Sequence, residues 1–178
     1  MRLWREILLT CALVACKADA AAPIRIVVGP GPSDQVTLVP GAALAEYIEV
    51  SAEQSVLLLT LSSSQRGCDS PPSTGNEGIG VSIRLNLPQG KKLEAGSYPI
   101  LGEGADPAQP RASITVKLQG RRHELRPGGE LELRELDLGP RGFISGLLKL
   151  ESPGDAEHPA TRVAGQFLAH FCRINRLR

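Results

Sequence analysis

Aromatic side chains are scarce in this chain of 178 residues, which has one Trp, two Tyr and three Phe. Proteins that grip unstacked bases or sugars use such rings as platforms, so both ligand classes are disfavoured. Charge of one sign is also missing. The 20 Lys and Arg against 19 Asp and Glu leave a formal net charge of +1, which gives a polyanion nothing to hold. The apolar stretch Ile7–Ala15, interrupted by Thr10 and Cys11, falls well short of the about 20 residues that cross a bilayer as a helix. No long helical periodicity is present, and the three histidines, His123, His158 and His170, are dispersed without ligand spacing. No metal site, cofactor or nucleic-acid partner is therefore expected.

What is present begins at the N-terminus. Arg2 and Arg5 form a basic end, the apolar stretch follows, and Leu13-Val14-Ala15-Cys16 closes it. A basic end followed by a short apolar core is the pattern of a removable export signal. Its last four residues resemble the signal of bacterial lipoproteins. The resemblance covers residues 13–16 only. It implies recognition through Leu13, Val14 and Ala15, cleavage before Cys16, and lipid on the Cys16 sulfur and amino group. It also implies the outer membrane of a Gram-negative cell, because the residue after the cysteine is Lys17 and not Asp. Several acyl chains on one residue hold a protein far more firmly than one, at about 0.8 kcal/mol per buried methylene. The alternative is an ordinary signal cut after Ala18-Asp19-Ala20, which also has small-x-small spacing and would give a secreted or periplasmic protein. The expected organisation is a signal over residues 1–15, a short tether over 16–23 and one domain over 24–178.

Removing residues 1–15 takes Arg2, Arg5 and Glu6 from the 20 basic and 19 acidic side chains, leaving 18 of each. The remaining length of about 160 residues suits one domain and buries a core without help from a metal. Of the four cysteines, Cys11 leaves with the signal and Cys16 carries lipid, so Cys68 and Cys172 remain, in an oxidising compartment. They can pair only with each other. A bridge closing about a hundred residues stabilises by up to about 4.7 kcal/mol in the chain-entropy treatment. The alternatives are a free thiol pair, or zinc held with His170. The run His170-Phe171-Cys172 lacks the paired two-residue spacings of structural zinc.

Beyond the tether, short segments alternate apolar and polar residues between clusters of Gly, Pro, Ser and Asp, which is the pattern of an antiparallel β protein. Ile79, Val81, Ile83, Leu85 and Leu87 share one face, as do Ala112, Ile114, Val116 and Leu118. Such strands bury one side and wet the other. Residues 56–61 are apolar on both faces up to Thr60, which predicts a central strand covered on both sides. From residue 112 a meander is predicted through 123–126, 130–138, 143–151 and 161–172, with turns at Gly120-Arg121, Pro127-Gly128-Gly129 and Gly139–Gly142. Leu93–Tyr98 reads as a turn entering a strand.

Two irregularities interrupt the alternation. Leu131 and Leu133 have opposite parity to Leu136 and Leu138, so one extra residue near Arg134-Glu135 predicts a β-bulge. Cys172 has opposite parity to Val163, Phe167 and Phe171, which places it at a strand end or outside the core. A bridge to the loop over 62–78 is then easier than one through the core. That loop and the one over 102–110 are the places where a β scaffold would carry a binding function.

The remaining candidates for chemistry are weak. Ser145 in Gly142-Phe143-Ile144-Ser145-Gly146 lacks both the spacing and the strand-to-helix context of a nucleophile elbow. Glu130, Glu132, Glu135 and Asp137 could offer oxygens to calcium, but no Asp-x-Asp loop accompanies them. Opposite charges paired across strands with Arg121, Arg122 and Arg126 explain them more simply. No catalytic set emerges. The expected protein is an all-β antiparallel sandwich of about nine or ten strands, or alternatively a closed β-barrel. Its expected role is a non-catalytic, lipid-anchored binding or structural component of the cell envelope with a protein partner there. The alternative role is a barrel carrying a lipid or another small apolar ligand, with inward positions such as Val81, Ile83, Val116 and Leu118 lining the cavity.

Overall fold

A computed structural model of the chain describes residues 24–28, 35–39, 42–51, 54–64, 67–68, 78–101, 105–118, 121–124, 128–154 and 160–176. The expected signal and tether over residues 1–23, including Cys16 and Lys17, most of the loop over 62–78, Arg126 and His158 lie outside the described residues. Among those described there is no helix, and the chain is all-β. The strands are β1 (Ile24–Val28), β2 (Gln35–Leu38), β3 (Ala42–Ser51), β4 (Gln54–Ser62), β5 (Gly80–Pro88) and β6 (Gly96–Pro99). They continue with β7 (Arg111–Leu118), β8 (Arg121–Glu124), β9 (Gly129–Leu136), β10 (Phe143–Ser152) and β11 (Thr161–Arg176).

These eleven strands are hydrogen-bonded into one continuous sheet, an all-β fold of the expected sandwich-like or barrel-like kind. Its hydrogen-bonded order is β6-β9-β10-β11-β3-β4-β5-β7-β8, with β1 and β2 attached beside β11. The sheet curls into a half-barrel around one core, and a single parallel bridge between Ile100 and Ala112 links the β6 border to β7. One backbone bond holds that junction, from the Leu101 N–H to the Ala112 carbonyl at 3.1 Å, while the Ile100 N–H donates to the Gly129 carbonyl at 3.0 Å and so continues the β6–β9 pairing.

Alternation explains the core. On β5, Val81, Ile83, Leu85 and Leu87 are all buried, while Ser82 and Arg84 are exposed. Leu57, Leu59 and Leu61 of β4, Ile144, Leu148 and Leu150 of β10, and Val163, Phe167 and Phe171 of β11 join the same cluster. The side chains that fill it are mostly Leu, Ile and Val, which suit a pleated, half-buried surface. β4 is central, between β3 and β5. On its outward face Val56 is buried and Leu58 half-buried, and Thr60 is exposed.

Both irregularities are bulges. On β9, Glu135 pairs with Ser145 and Leu133 with Gly146, leaving Arg134 as the extra residue. Leu131 and Leu133 are buried, and Leu136 and Leu138 pack against the same core. On β11, Phe171 pairs with Ala45 and Arg173 with Glu46, so Cys172 is the unpaired residue. Cys172 is not at a strand end, because β11 runs on to Arg176. The bulge turns it out of the core instead.

The predicted meander is broken once. β7 and β8 form a hairpin and β9, β10 and β11 are consecutive neighbours, but β8 and β9 are not paired. β8 stays on the border beside β7, while β9 crosses to lie between β6 and β10. The cross-strand charge pairing expected between those two segments therefore has no ladder to support it. A second departure is the parallel pairing of β11 with β3 in an otherwise antiparallel sheet.

Candidate functional site

The two cysteines of the domain are bridged. Cys68 and Cys172 form a disulfide with their Cα atoms 5.2 Å apart and 104 positions apart in sequence. The β11 bulge presents Cys172 outward, and the bridge fastens the segment following β4 to the strand that anchors the sheet. His170 is exposed and paired across β10 with Phe143. Among the described residues no group of three His, Cys, Asp or Glu side chains is placed to hold a metal ion.

The acidic stretch of β9 is accounted for residue by residue. Glu130 lies opposite Lys149 on β10. Glu132 pairs with Arg134 within the same strand at 3.0 Å, and this hydrogen bond and charge hold the Arg134 guanidinium above its ordinary pKa. Glu135 accepts a 3.3 Å hydrogen bond from the Ser145 hydroxyl. Asp137 accepts one at 2.9 Å from the Gly139 N–H, an Asx-turn arrangement that shapes the hairpin into β10. The opposite-charge partners of this stretch thus come from β10 and from β9 itself. Ser145 is half-buried on the outward face, held by a carboxylate in mid-strand.

An open cleft of about 540 Å³ lies where β1, β10 and β11 meet, lined by Val27, Glu151, Ser152, Pro153, Ala160, Thr161 and Arg162. Its floor holds two buried hydroxyl residues, Ser152 and Thr161, which face each other across the β10–β11 ladder. Its rim carries an exposed ion pair, Arg162 to Glu151 at 3.0 Å. Such a pair in water contributes little. Among the described residues the cleft is lined by two hydroxyl side chains and one compensated charge pair, with no acid–base couple.

The inward positions proposed as a cavity lining are packed. Val81 and Val116 have no exposed surface and Ile83 has 1%, which leaves no room beside them for even a water-sized ligand. Leu118, at the end of β7, is half-buried against the same cluster.

One feature was missed in the sequence. On the outward face of β10, β11 and β3, Phe143, Leu147, Leu168 and Leu44 are half-buried. Leu168 is opposite Ser145 and diagonal to both Phe143 and Leu147, whose direct partners are His170 and Gln166. The signal was available as apolar residues at positions of outward parity in residues 143–147 and 168. Directly after β2, Val39 is 67% exposed. Comparison of the chain with protein-family models, curated proteins and solved structures finds no match.

Proposed function

We propose that this chain is a lipid-anchored, non-catalytic binding or structural component of the bacterial cell envelope, tethered through Cys16 at the outer membrane. The observation that carries this reading is the run Leu13-Val14-Ala15-Cys16 behind Arg2 and Arg5, seven residues before the first strand begins at Ile24. The Cys68–Cys172 disulfide supports it, since such bonds persist outside the reducing cytosol. The domain's polar side chains also support it, being engaged in local pairs along the sheet rather than gathered at a reaction centre. An envelope partner has two strand borders to extend: among the described residues β2 pairs with β1 alone, and β8 with β7 alone. Adding a strand at such an edge gives affinity through main-chain hydrogen bonds. The packed interior weighs against the apolar-ligand carrier.

Metabolic labelling with a radioactive or clickable fatty acid tests the anchor. Label should enter the wild-type chain and be absent from Cys16→Ser. Label that survives the substitution removes the reading.

A further inference from the structure

The point at which the tether joins the domain selects the wall of the half-barrel that can face a membrane. Ile24 pairs with Leu38, and Arg25 pairs with Ala164 of β11. Extending that register sets Ile24 beside Gly165. On the same edge β3 takes over as partner at His170. The chain from Cys16 therefore arrives at the side of the sheet, at the middle of β11, and not at either open end.

Between Cys16 and Ile24 lie seven residues, which reach about 25 Å when fully extended. A domain of about 155 residues has a radius of gyration of about 15 Å, and so is about 40 Å across. A tether of that length cannot carry the far wall round to the bilayer. The wall around the junction and the ends beside it stay within reach.

That surface carries the half-buried Leu168, Leu147, Phe143 and Leu44. It is also rimmed by charges of both signs, with exposed Arg25 and Lys149 flanking Ala164 from its two edges and exposed Glu130 and Glu135 along β9. We propose that this outward face of β10, β11 and β3, centred on Leu168, rests on the zwitterionic phospholipid surface in which the Cys16 lipid is embedded. The apolar side chains sit at the headgroup level and the mixed rim meets phosphate and ammonium groups alike. This inference rests on the lipid-anchor reading and adds an orientation to it.

The only tryptophan, Trp4, lies in the signal, so the mature chain offers a dark background for a single fluorescent probe. Leu168→Trp places one at the centre of the patch. Ser113→Trp places one on the outward, exposed face of β7, four strands away in the sheet order. Each mature, lipidated variant is reconstituted into phosphatidylcholine vesicles with and without bromine on the acyl chains. Quenching of at least twofold is expected for Leu168→Trp and none for Ser113→Trp. Leu147→Trp serves as the second patch probe should Leu168→Trp fail to fold. Vesicle-bound protein with an unquenched patch probe, or with equal quenching at both sites, overturns the orientation while leaving the anchor standing. A mature chain whose mass shows no acyl groups on Cys16 overturns both. A patch emission that shifts with protein concentration in lipid-free detergent marks a second copy on this face and also overturns the proposal.

Discussion

Gly146 of β10 and Phe167 of β11 face each other across the ladder, and the phenyl ring fills the space where a side chain at 146 would stand. A Cβ there would lie 2.6 Å from the ring Cζ and would also meet the Glu132 carbonyl. Glycine in a strand normally costs about 0.5–1 kcal/mol relative to alanine, but here the overlap outweighs that gain. Gly146→Ala is expected to destabilise by about 1–3 kcal/mol, the usual cost of overpacking. Denaturant unfolding of Gly146→Ala, Phe167→Leu and the double variant checks this. The double variant should lose less than the sum of the two singles.

The Cys68–Cys172 bridge spans 104 positions, so its loss frees a long loop in the unfolded chain. Replacing both cysteines by serine is expected to cost about 2–5 kcal/mol, read as a lower denaturation midpoint. Thiol titration of the purified protein under denaturing conditions should find neither Cys68 nor Cys172 reactive.

The β9 bulge makes a deletion tolerable where deletions usually are not. Without Arg134, Leu133 is followed by Glu135 and Leu136, and strict alternation returns with every leucine still facing inward. Deleting Arg134 should therefore leave a folded protein, less stable by about 1–3 kcal/mol through lost twist and bend. Deleting Arg84 from β5, which pairs without a break to both β4 and β7, turns the rest of the strand inside out. That variant should not fold. Circular dichroism and soluble yield separate the two outcomes.

Tyr98 closes the turn before β6 on itself. Its hydroxyl donates to the Glu94 carbonyl at 2.7 Å and accepts from the Glu94 N–H at 3.3 Å, while the ring packs into the core. Tyr98→Phe keeps the packing and removes both bonds. A loss of about 0.5–1.5 kcal/mol is expected, measurable as a shift in thermal midpoint.

Most strands were legible because alternation is a local signal. The bulge at Arg134 was legible because the leucines on either side of it disagree in parity. The parity of Cys172 likewise announced that it stands outside the core, although the cause is a bulge within a long strand and not a strand end. Partner choice was not legible. Nothing in residues 121–126 says that β8 stays at the border while β9 crosses to β6 and β10, because that choice depends on how the whole sheet curls. The parallel contact between β11 and β3 is equally hidden, since it joins segments more than a hundred residues apart. Of the functional features, the disulfide followed from counting cysteines. The apolar outward patch did not, because its members come from three strands whose neighbours the sequence does not name.

β11 touches β10 along one edge and both β1 and β3 along the other, yet it follows all of them in sequence. The earlier strands therefore wait, with their hydrophobic sides unsatisfied, until the residues of β11 have arrived. Contacts of such long sequence separation close slowly. The half of the sheet that precedes β11 thus keeps unpaired edges open to mispairing for as long as that strand is absent.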